Sequence, residues 1–165
     1  MATGLTQERL KEVLDYNQNT GIFTWVKPNI KSPYKKGCQA GSNATGYTII
    51  CIDRKSYAAH RLAWFYVNGY WPKIIDHINN NPLDNAFHNL RESTNSENSF
   101  NMKLTKRNTT GIKGVTWDKV RQKWFAEIKA FGKKIFLGRF QDKELAELVV
   151  SEARSKYHKE FAREL

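Results

Sequence analysis

From Ile74 to Asn101 the chain reads IIDHINNNPLDNAFHNLRESTNSENSFN, with eight asparagines in that run. Asparagine is a poor occupant of helix and strand interiors, because its side chain competes for backbone hydrogen bonds. It favours turns, caps and places where a carboxamide must bond or ligate. A stretch so composed divides the chain into small modules around a polar loop. The 165 residues suffice for one medium domain or two or three small ones.

The flanking segments carry ordinary folding signals. Thr6 is placed to cap a first helix, in which Leu10, Val13 and Leu14 fall at helical spacing. Thr20-Gly21 marks a turn into a strand over 22–25. A loop rich in Pro, Gly and Ser follows over 28–46. Residues 47–52 and the run from Ser56 onward then read as a hairpin turning at 53–55, before a helix AHRLAWFYVNG that stops at Gly69. A short strand over 74–76 enters the asparagine stretch, and a helical turn or two fits 94–100. Beyond a basic linker, three strands fit 114–117, 123–131 and 133–140, with a tight turn at FGKK. A helix from Asp142 to Tyr157 follows. Its stripe Leu145, Val149, Ala153, Tyr157, Phe161 is expected to pack on the sheet. The fold class expected is α+β.

Charge narrows the partners. The net charge is +11 and the pI about 9.7, which favours an anionic partner, nucleic acid before an anionic membrane surface. The excess is uneven. Within 113–139 the basic residues Lys113, Lys119, Arg121, Lys123, Lys129, Lys133, Lys134 and Arg139 face only Asp118 and Glu127. Cys38 and Cys51 form no CxxC pair, so a cysteine-caged structural zinc is excluded and both read as reduced thiols. The N-terminus is charged and amphipathic rather than signal-like, and no apolar run approaches membrane-spanning length. The expectation is a protein of the cytoplasm without a membrane partner.

Asp76 and His77 give the asparagine stretch its chemistry. Hydrolysing a phosphodiester needs a base to activate water and a cation to neutralise charge on the leaving oxygen. Histidine titrates near neutrality. A hard divalent cation takes oxygen ligands, typically one or two from protein. Neighbours in a strand point to opposite faces, so Asp76 and His77 could flank one phosphate. The competing reading is a polar surface loop with a salt-linked histidine. His60 reads as a hydrogen-bonded packing residue on its helix, His88 and His158 as surface residues, and Asn79, Asn80, Asn81 and Asn85 as turn formers. Arg91 is placed to reach a phosphate or to stay solvated.

The ordered pattern AHRLAW, WP, DHIN, PLDN, NLR, T, EN over about residues 58–101 resembles the HNH endonuclease family in its phage and intron-encoded branch. That resemblance implies a ββα-metal nuclease core. His77 would be the general base, and Asp76 and Asn98 would hold a single divalent cation, Mg2+ or Mn2+. Asn89 would brace the loop and orient the histidine. It also implies double-stranded DNA as substrate, a homing-type nuclease that nicks or cuts both strands, and a monomer or DNA-induced dimer in an infected bacterial host. Relatives often read DHINGD where this chain reads DHINNN. Asparagine tolerates left-handed backbone, so the turn is expected to survive.

The segment GIKGVTWDKVRQKWFAEIKAFGKKIFLGRFQDKELAELVVSEA resembles the APETALA-type DNA-binding domain, a three-stranded antiparallel sheet backed by a helix. The landmarks are GV, KWFAEI, GKKIFLGRF and the alanine-bearing helix. Departures are the longer GVTWDKVRQKW turn, lysines for several arginines, and Phe136 where the plant domains often have tryptophan. The resemblance implies DNA contacts from Lys113, Trp117, Lys119, Arg121, Lys123, Lys129, Lys133, Lys134, Phe136 and Arg139, with Arg91 added from the nuclease segment. The domains expected are an N-terminal support over 1–57, an HNH core over 58–102, a basic linker over 103–109 and the DNA-binding domain over 110–165. Alternatives left open are a non-cleaving DNA-binding protein, whether regulator or decayed nuclease, and a protein that binds or cuts RNA.

Overall fold

The computed structural model describes residues 4–27, 35–44, 46–95, 97–98, 104 and 108–158. The chain divides into two compact units, Met1–Ser93 and Thr94–Leu165. Each is mixed α and β, built on small antiparallel sheets.

In the first unit, α1 (Gln7–Val13) starts at Thr6, whose hydroxyl accepts the Arg9 N–H at 3.2 Å. It runs directly into β1 (Leu14–Asn17), which pairs with β2 (Ile22–Trp25) through the turn at Gly21. A second sheet has the order β3 (Ser42–Ala44), β4 (Tyr47–Ile52), β5 (Lys55–Ala58). Asp53 and Arg54 both take left-handed backbone at the β4–β5 turn, φ 49° and 66°. That is the twist a two-residue hairpin demands. Helix α2 (Ala59–Asn68) follows at once and ends on left-handed Gly69, whose N–H returns to the Phe65 carbonyl. Leu10, Leu14, Phe23, Ile50 and Leu62, all nearly inaccessible, form the core with Tyr16, Trp25, Phe65 and Leu90. Each such side chain stabilises the fold by roughly 1.5–3 kcal/mol relative to exposure.

Against this core lies the hairpin of β6 (Ile75–His77) and β7 (Leu90–Glu92), with Asp76 opposite Arg91 and His77 opposite Leu90. Residues 78–89 form the loop between them, closed by a short 3-10 turn over Phe87–Asn89. The strand expected over 74–76 is therefore displaced by one residue and includes His77.

The second unit begins with a capping box. The Thr94 N–H donates to the Glu97 carboxylate at 2.7 Å, and the Glu97 N–H donates to the Thr94 hydroxyl at 3.2 Å. Asn98 sits one turn in, its N–H on the Thr94 carbonyl. Phe100, Asn101 and most of the linker expected over 103–109 lie outside the described residues. Then β8 (Val115–Asp118), β9 (Lys123–Ala130) and β10 (Lys133–Phe140) form one sheet with β9 central. The FGKK turn is made by left-handed Phe131 and Gly132. Helix α3 (Lys143–His158) covers one face.

Two sequence expectations fail here. Helix α3 buries only the later part of the expected stripe, Ala153 with Tyr157 alongside, and leaves its start, Leu145, out. It buries Ala146, Val150 and Ala153, with Tyr157 packed alongside, while Leu145 and Leu148 stay about half exposed. Alanines at 146 and 153 allow close approach to Val115, Ala126 and Ile128, so in the first turns the buried positions are Ala146 and Val150, one residue on from Leu145 and Val149. Phe161 is outside the described residues. His158, expected at the surface, is buried and bonds the Lys129 carbonyl through Nε2 at 2.9 Å. Burial lowers its pKa.

Candidate active site and nucleic-acid interface

The hairpin ends place Asp76 and His77 side by side, both buried. They point apart, as strand neighbours must. Asp76 meets its register partner Arg91, whose Nε and Nη2 both donate to Oδ2, at 2.9 and 2.7 Å. Arg91, read from the sequence as a phosphate contact, thus belongs to a nearly buried ion pair.

His77 faces a different set of groups. Its ring lies edge-on to His60, with centroids 5.1 Å apart, and Tyr47 is beside both rings at 5.4 and 6.5 Å. Burial lowers the His77 pKa, opposed by its bond to Asn85 and by Asp76 and Asp84. His60 is pushed down to about 4, first by desolvation and then by His77 and Arg61. It therefore stays neutral in neutral solution, and its buried Nδ1 has no hydrogen-bond partner among the described residues. No local pattern in the chain places His60 in this site. The short β5–α2 junction carries it there.

The loop asparagines have separate jobs. Asn89 is buried and holds both ends of the loop. Its Oδ1 accepts the Asn79 N–H at 3.0 Å, and its Nδ2 donates to Asn79 Oδ1 at 3.0 Å and to the Asp84 carbonyl at 2.8 Å. Asn79 also donates to the Asp84 carboxylate, and its Oδ1 accepts the Asn81 N–H at 2.8 Å. Asn80 takes the left-handed backbone, φ 57°, at the position where DHINGD relatives have glycine. The turn does survive. Asn85, read as a turn former, is the carboxamide that reaches His77, Oδ1 to Nε2 at 3.4 Å.

By residue type, Asp76 in the first unit and Asn98 in the second each offer an oxygen donor suited to a hard divalent ion. Among the described residues no three His, Cys, Asp or Glu side chains cluster, which a cation that keeps most of its water does not require.

The second unit presents a separate surface. Register puts Thr116, Lys123, Phe125, Glu127, Lys129, Lys134, Phe136 and Arg139 on the sheet face away from α3. Phe125 and Phe136 stack at 5.2 Å, and the Arg139 guanidinium lies 5.3 and 5.1 Å from their ring centroids. Lys134 pairs with Glu127 at 2.8 Å, and Asp118 ties Arg121 and Arg139. Lys119 is exposed in the β8–β9 turn and Lys113 lies before β8. Trp117 and Lys133 are in register with Trp124 and Ala130 on the α3 side. The expected contacts therefore divide between the open face, the turns and the helix side.

Asp76 and His77 lie on a short hairpin closed by an asparagine-braced loop, within residues 57–100 that a model of the HNH endonuclease family matches. Protein 3.8 of Escherichia phage T7 is 40% identical over 121 residues, covering 67% of this chain and 98% of that protein. The chain belongs to the same family as that phage protein, and within it residues 57–100 carry the match to the HNH endonuclease model. No solved structure matches it. Among the described residues no helix is long and apolar enough to cross a membrane.

Proposed function

We propose that this protein is a metal-dependent DNA endonuclease, homing-type, which nicks or cuts double-stranded DNA to leave 5′-phosphate and 3′-hydroxyl ends. The observation that carries the reading is the buried Asp76–His77 pair inside the segment that matches the HNH family. His77 takes the proton from water as it attacks phosphorus. Asp76 and Asn98 would hold one divalent cation, Mg2+ or Mn2+. When bound, that cation supplies charge neutralisation at the leaving 3′ oxygen. Asn89 holds the loop so that His77 does not wander from the line of attack. The second unit acts as an APETALA-type DNA-binding domain. Lys123, Lys129, Lys134 and Arg139 meet phosphates, and Phe125 and Phe136 supply the apolar part of the contact. One active site per chain cuts one strand at a time, so cutting both needs a DNA-induced dimer or two successive nicks.

A plasmid assay with Mg2+, Mn2+ or EDTA tests this. Supercoiled DNA should become nicked or linear only with metal, and His77→Ala should be silent. A second reading, a DNA-binding protein that never cuts, draws support from the Asp76–Arg91 ion pair, which already engages the carboxylate. Retention of DNA without cleavage under every metal tried would favour it.

A further inference from the structure

We infer that Asn85 is the positioning residue that fixes the tautomer of His77, holding the proton on Nε2 and so making Nδ1 the atom that accepts a proton from water. The inference rests on the nuclease reading for its function, but not for its geometry. A neutral imidazole has one N–H and one lone pair, and the partner of one nitrogen decides the role of the other. The His77 Nε2 faces Asn85 Oδ1 at 3.4 Å. A carboxamide can turn either end toward a ring, so its own anchoring decides. Here Asn85 Nδ2 donates to the Leu83 carbonyl at 3.2 Å. That bond directs the oxygen at His77, and an oxygen can only accept. The proton therefore belongs on Nε2.

Asn85 is well held for this task. It is buried, 3% exposed. Its carbonyl accepts the Tyr16 hydroxyl at 2.7 Å. The next residue, Ala86, donates its N–H to Asp84 Oδ1 at 3.2 Å, and Phe87 N–H reaches the Gln18 carbonyl at 2.8 Å. The β1–β2 hairpin thus clamps residues 85–87 from one side. On the other side His60, edge-on to His77, limits rotation of the imidazole about its own bond. The division of labour differs from the one the family resemblance implies. Asn89 braces the loop, while orientation of the base passes to Asn85.

The experiment uses the full chain, labelled with 15N. A long-range 1H–15N correlation of the imidazoles, with His77 assigned through His77→Gln, reports which nitrogen carries the proton in the neutral ring. The wild type should show Nε2–H. Asn85→Ala should show a mixture of both tautomers. Asn85→Asp, which keeps an acceptor, should restore Nε2–H. In the plasmid assay Asn85→Ala should lose about 10- to 100-fold in kcat with KM for DNA unchanged, within the roughly 10⁴-fold that a wrong tautomer costs a catalytic histidine. Asn85→Asp should recover only part of the loss, because its added charge raises the base's pKa and repels phosphate. Nδ1–H in the wild type overturns the inference, and so does an Asn85→Ala protein with unchanged tautomer and kcat. The wild-type measurement needs no variant, so a misfolded Asn85→Ala does not shield the idea. A wild type that never cuts DNA overturns the nuclease reading instead, whatever the tautomer.

Discussion

Gly21 makes the clamp on Asn85 testable from a distance. It turns β1 into β2 with φ +72°, and a Cβ built on it would lie 2.3 Å from Ala86 N, 2.3 Å from Asn85 C and 2.8 Å from Asn85 Cα. Ordinary contact is about 3.4 Å or more, so backbone must part by roughly 1 Å; no flexible side chain is there to yield. Gly21→Ala therefore carries two costs. Left-handed backbone costs an L-residue about 1–2 kcal/mol. Forcing extra volume into a packed site costs about 1–3 kcal/mol more. Gly37→Ala is the control, because φ there is +84° and a Cβ meets nothing within 4 Å. It bears the first cost alone. Urea unfolding should rank wild type, Gly37→Ala, Gly21→Ala, with about 1–3 kcal/mol between the two variants. The plasmid assay should separate them further. A 1 Å displacement of a positioning group costs on the order of 10²-fold in rate, so Gly21→Ala should lose about that much while Gly37→Ala cuts DNA normally. Equal stability and equal activity of the two variants would refute the idea that the hairpin supports Asn85.

Three further outcomes follow from the same contacts. His60 has a folded pKa near 4 against 6.5 unfolded, a depressed value. The unfolded chain therefore binds more protons between those limits, and stability is full above about pH 6.5 and falls as pH drops toward 4. The loss is roughly 3 kcal/mol at its limit, and His60→Phe should flatten that part of the urea-unfolding profile. Arg91→Ala should destabilise the first unit by about 3–5 kcal/mol, since it leaves the buried Asp76 carboxylate without its guanidinium. The double variant with Asp76→Ala should cost clearly less than the sum of the singles. On the second unit, Lys129→Ala should reduce the slope of log K against log salt for DNA binding by about 0.9. Phe136→Ala should weaken binding by about 1 kcal/mol with the slope unchanged, and Lys133→Ala, in register on the helix side, should change neither.

Much of the fold could be read from local chemistry. Thr6, Gly69 and the Phe131-Gly132 turn act where capping and turn rules put them. Alternation along β9 sorted Lys123, Phe125, Glu127 and Lys129 onto one face. What escaped was set by tertiary approach. Leucine outweighs alanine in any hydrophobic pattern, yet Ala146 faces the sheet in place of Leu145 because a small side chain lets α3 come close, while Ala153 lies where the stripe put it. His158 looked like a surface residue and became buried, and His60, read as a packing residue, lies half-buried against His77, each through the elements it happens to meet. Arg91 seemed free for phosphate until strand register set it opposite Asp76. Asn85 looked like any other turn residue, because the link to His77 crosses a loop whose path the sequence does not specify.

The asparagines of the loop share a reason that a tally of contacts conceals. The site already holds Asp76 and Asp84 near His77, and both favour its charged form. Each further carboxylate there would raise the base's pKa and repel a phosphate. A carboxamide carries a donor and an acceptor with no net charge. Asn79 and Asn89 exchange both kinds of bond with each other and with the backbone, so the loop is cross-linked without cost to the electrostatics. Asn80 adds the left-handed turn that glycine provides elsewhere, with less backbone freedom to lose on folding. Asn85 uses both ends of its amide, one on Leu83 and one on His77, which neither a carboxylate nor a hydroxyl of similar reach would do with the same polarity. A loop that must be rigid, tightly turned and uncharged beside an anionic substrate leaves asparagine as the residue that satisfies all three demands.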